Sequence, residues 1–183
     1  MLLTALPSWA QLTIQIQKGV DKPISIAVVP LGWNRPMLPE DIASIVGNDL
    51  KRSGQFAPLP TGNMLGMPHE ASEVVYRDWR ALNVDWLVVG KIVPMQNGYN
   101  VQYELFDVIN QRQVMLDREI GYNDSLRDVA HHISDKVYEK ITGIRGIFSL
   151  KLLYVSALRD AKGQNTYRLM LSDADGAREQ ILR

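Results

Sequence analysis

The run ISIAVVPLGWNRPMLPEDIASIVGNDLKRSGQFAPLP, residues 24–60, decides the fold. Its opening, residues 24–29, is rich in Ile and Val and stops at Pro30, so it reads as a buried strand. A loop with Gly32, Asn34 and Pro36 follows. Pro39, Glu40 and Asp41 then supply the proline and acids favoured in a first helical turn, where free amides and the helix dipole attract negative charge. Ile42, Ile45, Val46 and Leu50 recur at helical spacing and make one apolar face, and Lys51 and Arg52 occupy the last turn before Gly54. Residues 56–59 read as a short strand leading into a Pro/Gly/Met-rich loop that runs to Pro68. A strand, a helix and a second strand in this order predict a sheet that carries helices.

Downstream, a short helix is expected over residues 73–82 and a strand over residues 86–93. Asn97-Gly98 between β-rich segments predicts a tight hairpin, because both residues adopt positive φ cheaply. Val101, Tyr103, Leu105 and Phe106 continue the return strand, and Asn110-Gln111 turns the chain into a third strand over residues 114–120. A second helix follows, with Ser125 and Asp128 spaced as a capping box. Leu126, Val129, Ala130, Ile133, Val137 and Ile141 form its buried stripe, and Gly143 ends it. The fold class is therefore α/β, a mixed β-sheet with two principal helices. After Gly146 helical character disappears. Residues 147–155 and 167–171 read as strands, Asp173-Ala174-Asp175-Gly176 as a tight turn, and residues 180–182 as a further strand start. This tail is expected to be an incomplete β-propeller blade, with a small independent meander as the other possibility.

Upstream, Leu12, Ile14 and Ile16 alternate with Thr13, Gln15 and Gln17, the period-two signature of a half-buried or edge strand. Residues 1–10, MLLTALPSWA, are apolar and carry Ser8 and Ala10 at the spacing of an export-signal cleavage site, although no basic leader precedes them. They are read as the remnant of an export signal, which places the start of the mature chain at Gln11 and its workplace outside the cytoplasm. No stretch reaches the ~20 apolar residues of a membrane-spanning helix.

Composition narrows the function. Lys plus Arg equals Asp plus Glu at 20 each, and no basic stripe stands out, which argues against a protein that works by neutralising phosphates. With no cysteine, disulfide frameworks, CxxC redox chemistry and thiolate zinc sites are excluded. Neither GxSxG, HExxH nor a phosphate-binding GxxxxGK loop is present. His69-Glu70 lacks a second histidine. His131 and Asp135 stand one turn apart near His132 and Glu139, a spacing that a metal site shares with any solvated amphipathic face, and the latter is the expectation here. Asp173, Asp175 and Gly176 do not have calcium-loop spacing and are read as a turn. No catalytic residue, cofactor or metal ligand is therefore assigned.

Three stretches carry a resemblance. Residues 24–60 resemble the opening of the TolB amino-terminal domain, with a strand ending in V-P, then P-E-D-I, then D-L…S-G-x-F-x-P-L. HHISDKVYEKITGIRGIFSLKLLYV, residues 131–155, is similar to that family's junction with its first propeller strand, and LSDADG, residues 171–176, to the S-D-x-D-G turn of the first blade. The resemblance implies a remnant of an export signal at 1–10, a partner-binding segment at 11–19, a TolB-like α/β domain at 20–146 and the first strands of a truncated propeller at 147–183. It also implies a non-enzymatic periplasmic component of the Tol–Pal system, linking TolA of the inner membrane to Pal of the outer membrane in envelope integrity and cell division. Colicins are further implied partners, and the Pal surface lies on propeller that this chain mostly lacks. Carried over residue by residue, the TolA-binding segment is Gln11, Leu12, Thr13, Ile14, Gln15, Ile16, Gln17, Lys18 and Gly19. An alternating segment of this kind can add to another protein's sheet edge, with backbone hydrogen bonds for affinity and one face of side chains for selection. Two other readings are a fragment of a propeller-bearing serine peptidase, which a downstream GxSxG would mark, and a nucleic-acid-binding α/β module, which the zero net charge disfavours.

Overall fold

The computed structural model describes residues 22–35 and 38–182. Strands β1 (Ile24–Val28), β2 (Phe56–Pro58), β3 (Trp86–Met95), β4 (Gly98–Asp107) and β5 (Arg112–Gly121) form one mixed sheet in the order β2-β1-β3-β4-β5. β1 runs parallel to both neighbours, and β3 and β5 each run antiparallel to β4 between them. Period-two alternation divides the side chains between two cores. Ile26 and Val28 join Val88, Ile92, Val101, Tyr103 and Leu105 beneath helices α1 (Ile42–Arg52) and α3 (Leu126–Thr142), which pack side by side on that face. Ala27 and Val29 point the other way, with Leu87, Val89, Phe106 and Val108, against Trp79 of α2 (Tyr76–Ala81). The expected mixed sheet and its two principal helices are present, and α2 is a third, minor one.

The apolar faces expected of α1 and α3 are the buried ones, with Asp49, His131, Ser134 and Tyr138 buried alongside them. Other local expectations shift or fail. Asp41 is not inside the first turn of α1; it is the N-cap, and its carboxylate accepts from the Ser44 amide at 3.0 Å. Residues 73–82 are not one helix, because a 3-10 turn (Ala71–Glu73) ends before the β-branched pair Val74-Val75 and α2 begins only at Tyr76. In the β3–β4 hairpin the turn residues are Gln96 and Asn97, and only Gly98 has positive φ, at 112°. The Ser125–Asp128 capping box does not form. Ser125 makes no side-chain cap, its hydroxyl accepts from the Tyr122 amide, and the Asp128 carboxylate is taken by Arg178 and Lys151 from beyond the helix.

The chain leaves α3 through Gly143 in the left-handed region and passes Gly146, where a Cβ would lie 2.3 Å from the Asp135 Cα. The Asp135 carboxylate accepts the amides of Phe148 and Ser149, at 2.6 and 3.2 Å. Phe148 then drops into the first core, edge-on to Tyr138 with ring centres 5.5 Å apart. Residues 147–150 are consequently a turn, not the expected strand start. β6 (Lys151–Arg159), β7 (Asn165–Asp173) and β8 (Gln180–Ile181) form a second, antiparallel sheet, and the expected turn at Asp173–Gly176 lies between the last two. Leu152 and Leu158 on one face of β6, and Leu153 and Val155 on the other, are all exposed.

Candidate functional site

The segment expected to bind a partner, Gln11 to Gly19, lies outside the described residues, as do the export-signal positions Ser8 and Ala10. What the structure describes is the anchor just downstream: β1 enters the middle of the sheet, with the Ile24 amide donating to the Gln55 carbonyl.

The densest polar constellation is elsewhere, between the helical layer and the second sheet. From α1 come Asp49 and Arg52; from α3, Arg127, Asp128, His131 and Ser134; from β6, Lys151; from the end of β7 and its turn, Asp173, Asp175 and Arg178. Asp173 is 2% exposed and is held by three cations: Arg127 at 3.1 Å, Arg178 at 2.8 Å, and Lys151. Burial pushes its carboxyl up, but the hydrogen bonds from Arg178 and Lys151 outweigh burial and bring it down to about 2. Hydrogen bonding to Arg178 likewise lowers Asp128. Asp175 is also lowered, because the Ala177 amide and the charges of Arg127, His131 and Arg52 overcome its burial. Arg178 is raised by Asp128 and Asp173.

His131 is not on a solvated face, contrary to expectation. It is 2% exposed, with Nδ1 2.7 Å from the Oδ2 of Asp49, itself 1% exposed. It also does not converge with Asp135, whose carboxylate serves the Phe148 and Ser149 amides, and His132 is exposed. Sequence reasoning missed this cluster because one polar residue within an apolar stripe looks the same whether it is buried or at the stripe's margin. The only advance signal is that Asp49 and His131 each fall beside stripe residues, Leu50 and Ala130. Among the described residues, one group has metal-ligand atoms close together, His131, Asp173 and Asp175, within 4.8 Å. Arg127 bridges the two carboxylates, so the charge a metal would supply is already there. His69 lies over Gly32, and its neighbour Glu70 pairs with Lys91 at 2.9 Å.

Comparison with known proteins settles the family. A sequence model of the TolB amino-terminal domain matches residues 12–114. This chain belongs to the TolB family. The Tol-Pal system protein TolB of Pseudomonas aeruginosa strain PAO1 is 49% identical over 168 residues, 91% of this chain and 39% of that protein. The protein of the same name from Pseudomonas syringae pv. syringae strain B728a is 46% identical over 180 residues, 98% of this chain and 42% of the relative. The chain therefore spans about two fifths of the length of these TolB relatives. The crystal structure of TolB from Acinetobacter baumannii superposes with a TM-score of 0.76 at 29% identity, over 89% of this chain and 39% of that one. No helix among the described residues is long and apolar enough to cross a membrane.

Proposed function

We propose that this chain is the amino-terminal part of a periplasmic, non-enzymatic component of the Tol–Pal system that links TolA to Pal and so supports envelope integrity and constriction at division. The relatives' shared name, Tol-Pal system protein TolB, carries this reading. Residues 1–10 are the remnant of its export signal. Gln11 to Gly19 is the segment that engages the carboxy-terminal domain of TolA by strand addition, with Leu12, Ile14 and Ile16 as its anchors. Contact with Pal and with colicins belongs to propeller outside this chain. Residues 147–183 are the first strands of that propeller; the apolar side chains exposed on both faces of β6 support this, since a blade is covered from both sides by its neighbours.

The test is titration of the chain with purified TolA carboxy-terminal domain. Ile14→Asp places a charge in an apolar contact and should weaken binding by about 2 kcal/mol or more, while Gln15→Ala, on the opposite face, should change it little. A chain beginning at Val20 should not bind. Equal binding by the shortened and intact chains would overturn the assignment of the segment.

A further inference from the structure

We propose that a cleft at one end of the main sheet, walled by Trp33, Tyr99 and Tyr122, binds a neutral oligosaccharide. Three parts of the chain meet there and enclose about 580 Å³: the segment after β1, the β3–β4 hairpin, and the turn from β5 into α3. Trp33 follows the point where Gly32 bridges to Lys91 of β3, and Tyr99 opens β4 opposite Gly121 of β5. The rings of Trp33 and Tyr99 meet edge to face, with centres 5.7 Å apart and planes at 68°, so they form a corner. Tyr122 is a third wall. A Cβ on Gly98 would lie 3.0 Å from its ring, so the ring rests against the hairpin backbone, while 53% of the residue stays exposed.

The polar groups of the cleft are placed but still have bonds to give. The Tyr99 hydroxyl donates to Asn123 Oδ1 at 2.6 Å, which orients the amide and leaves its two N–H donors. At the rim, exposed Arg35, Asn97 and Asp124 make no hydrogen bond or ion pair among the described residues. This composition selects the ligand. One arginine and one aspartate leave no net charge, which disfavours a phosphate, a free carboxylate or a bare cation as occupant. An apolar peptide anchor would bury Asn97 and Asn123 without partners. A pyranose satisfies both kinds of wall. Its C–H face, slightly positive, lies on the negative face of an aromatic ring, and its hydroxyls donate and accept toward amide, guanidinium and carboxylate. More than one aromatic platform, in a volume within the usual range of about 300–1,000 Å³ for ligand sites, suits a chain of sugars better than a single one. Trp33, Tyr99 and Tyr122 lie outside the segment proposed to engage TolA, so either assignment can fail without the other.

Titration of the whole chain with N-acetylglucosamine tetramer, and separately with maltotetraose, tests the site. The readouts are the Trp33 indole N–H, assigned by Trp33→Phe, and the backbone amides of Gly98, Tyr99 and Asn123. At least one of the two sugars should shift these signals saturably, with a Kd of about 1 mM or tighter. Tyr122→Ala removes a wall and should weaken that binding about tenfold, and Asn97→Ala should weaken it about threefold. Leu158→Ala, in the second sheet, should leave it unchanged. No saturable shift with either sugar up to about 20 mM would overturn the proposal, as would unchanged affinity in both cleft variants. The titration of the natural chain decides the first of these, so the test stands even if a variant folds poorly. Tetramethylammonium chloride shifting the same signals at lower concentration than either sugar would also overturn it, making the corner a cage for cations.

Discussion

At the residue scale, the junction rests on a few side chains that combine burial with charge, and Asp173 is the most exacting of them. Its folded carboxyl, at about 2, lies below the ordinary aspartate value of about 3.9. A depressed acid stabilises the fold above its unfolded value, and that contribution disappears as the pH falls through its folded value. The second sheet, which itself supplies Arg178 and Lys151, should therefore lose stability from about pH 4 down to about pH 2, by about 2 kcal/mol for this group alone. Acid titration monitored by the β7 amides checks this, and Asp173→Asn should remove that part of the slope. Gly146 is a steric counterpart. An alanine methyl there would meet the Asp135 backbone, which cannot swing aside as a side chain can. Gly146→Ala should cost about 1–3 kcal/mol in urea unfolding. Neither role could be read in advance, since Asp173 has the spacing of a plain turn and Gly146 that of a linker. Their partners lie in other elements: Arg127 of α3 is 46 residues from Asp173, and Gly146 meets Asp135 of α3.

At the element scale the sequence was most legible where apolar periodicity had no rival. β1, β3, α1 and the stripe of α3 all follow from Ile, Val and Leu at spacing two or 3.6, and each forms within a few residues of its expected limits. One failure is a local hydrogen-bonding signal lost to long-range partners. Asp128 had the spacing to close a capping box, yet a carboxylate within reach of Arg178 and Lys151 is better satisfied there than by one exposed amide. The β3–β4 turn was found but placed one residue late: it is Gln96-Asn97, and only Gly98, the first residue of β4, has positive φ. Gly98→Ala is the corresponding test. At φ 112° its Cβ would be strained and would also lie 2.4 Å from the Gly121 carbonyl at the end of β5. A loss of about 1–3 kcal/mol in thermal or urea unfolding is expected. Asn97→Ala, with no such demand on its backbone, should cost much less.

At the scale of the whole molecule, the chain combines a well-buried α/β unit with a second sheet whose burial is lopsided. The five-stranded sheet is covered by α1 and α3 on one face and by α2 on part of the other, so its central strands supply two cores. The β6–β8 sheet buries Ser172 and Asp173 at one end, next to Phe148, whereas residues 159–165 at the far end of its hairpin are exposed. The sequence could place these strands but not their attachment, because apolar periodicity reports which side chains seek cover and not what covers them. The sheet should consequently open from its far end. The two faces of β6 gain no burial there, and backbone pairing alone leaves a hairpin only marginally stable in water. The docked end, by contrast, is tied to α3 through Asp135, Arg127 and the Asp173 cluster. Amide exchange through a urea series should show Thr166 and Leu158 losing protection first. Leu152 and Leu171 should follow, and Val88 and Val101 in the main sheet should go last, with global unfolding. Simultaneous loss at all six positions would mean that the second sheet and the α/β unit unfold as one body. An order reversed within the hairpin would mean that the charge cluster contributes less than the strand pairing it terminates.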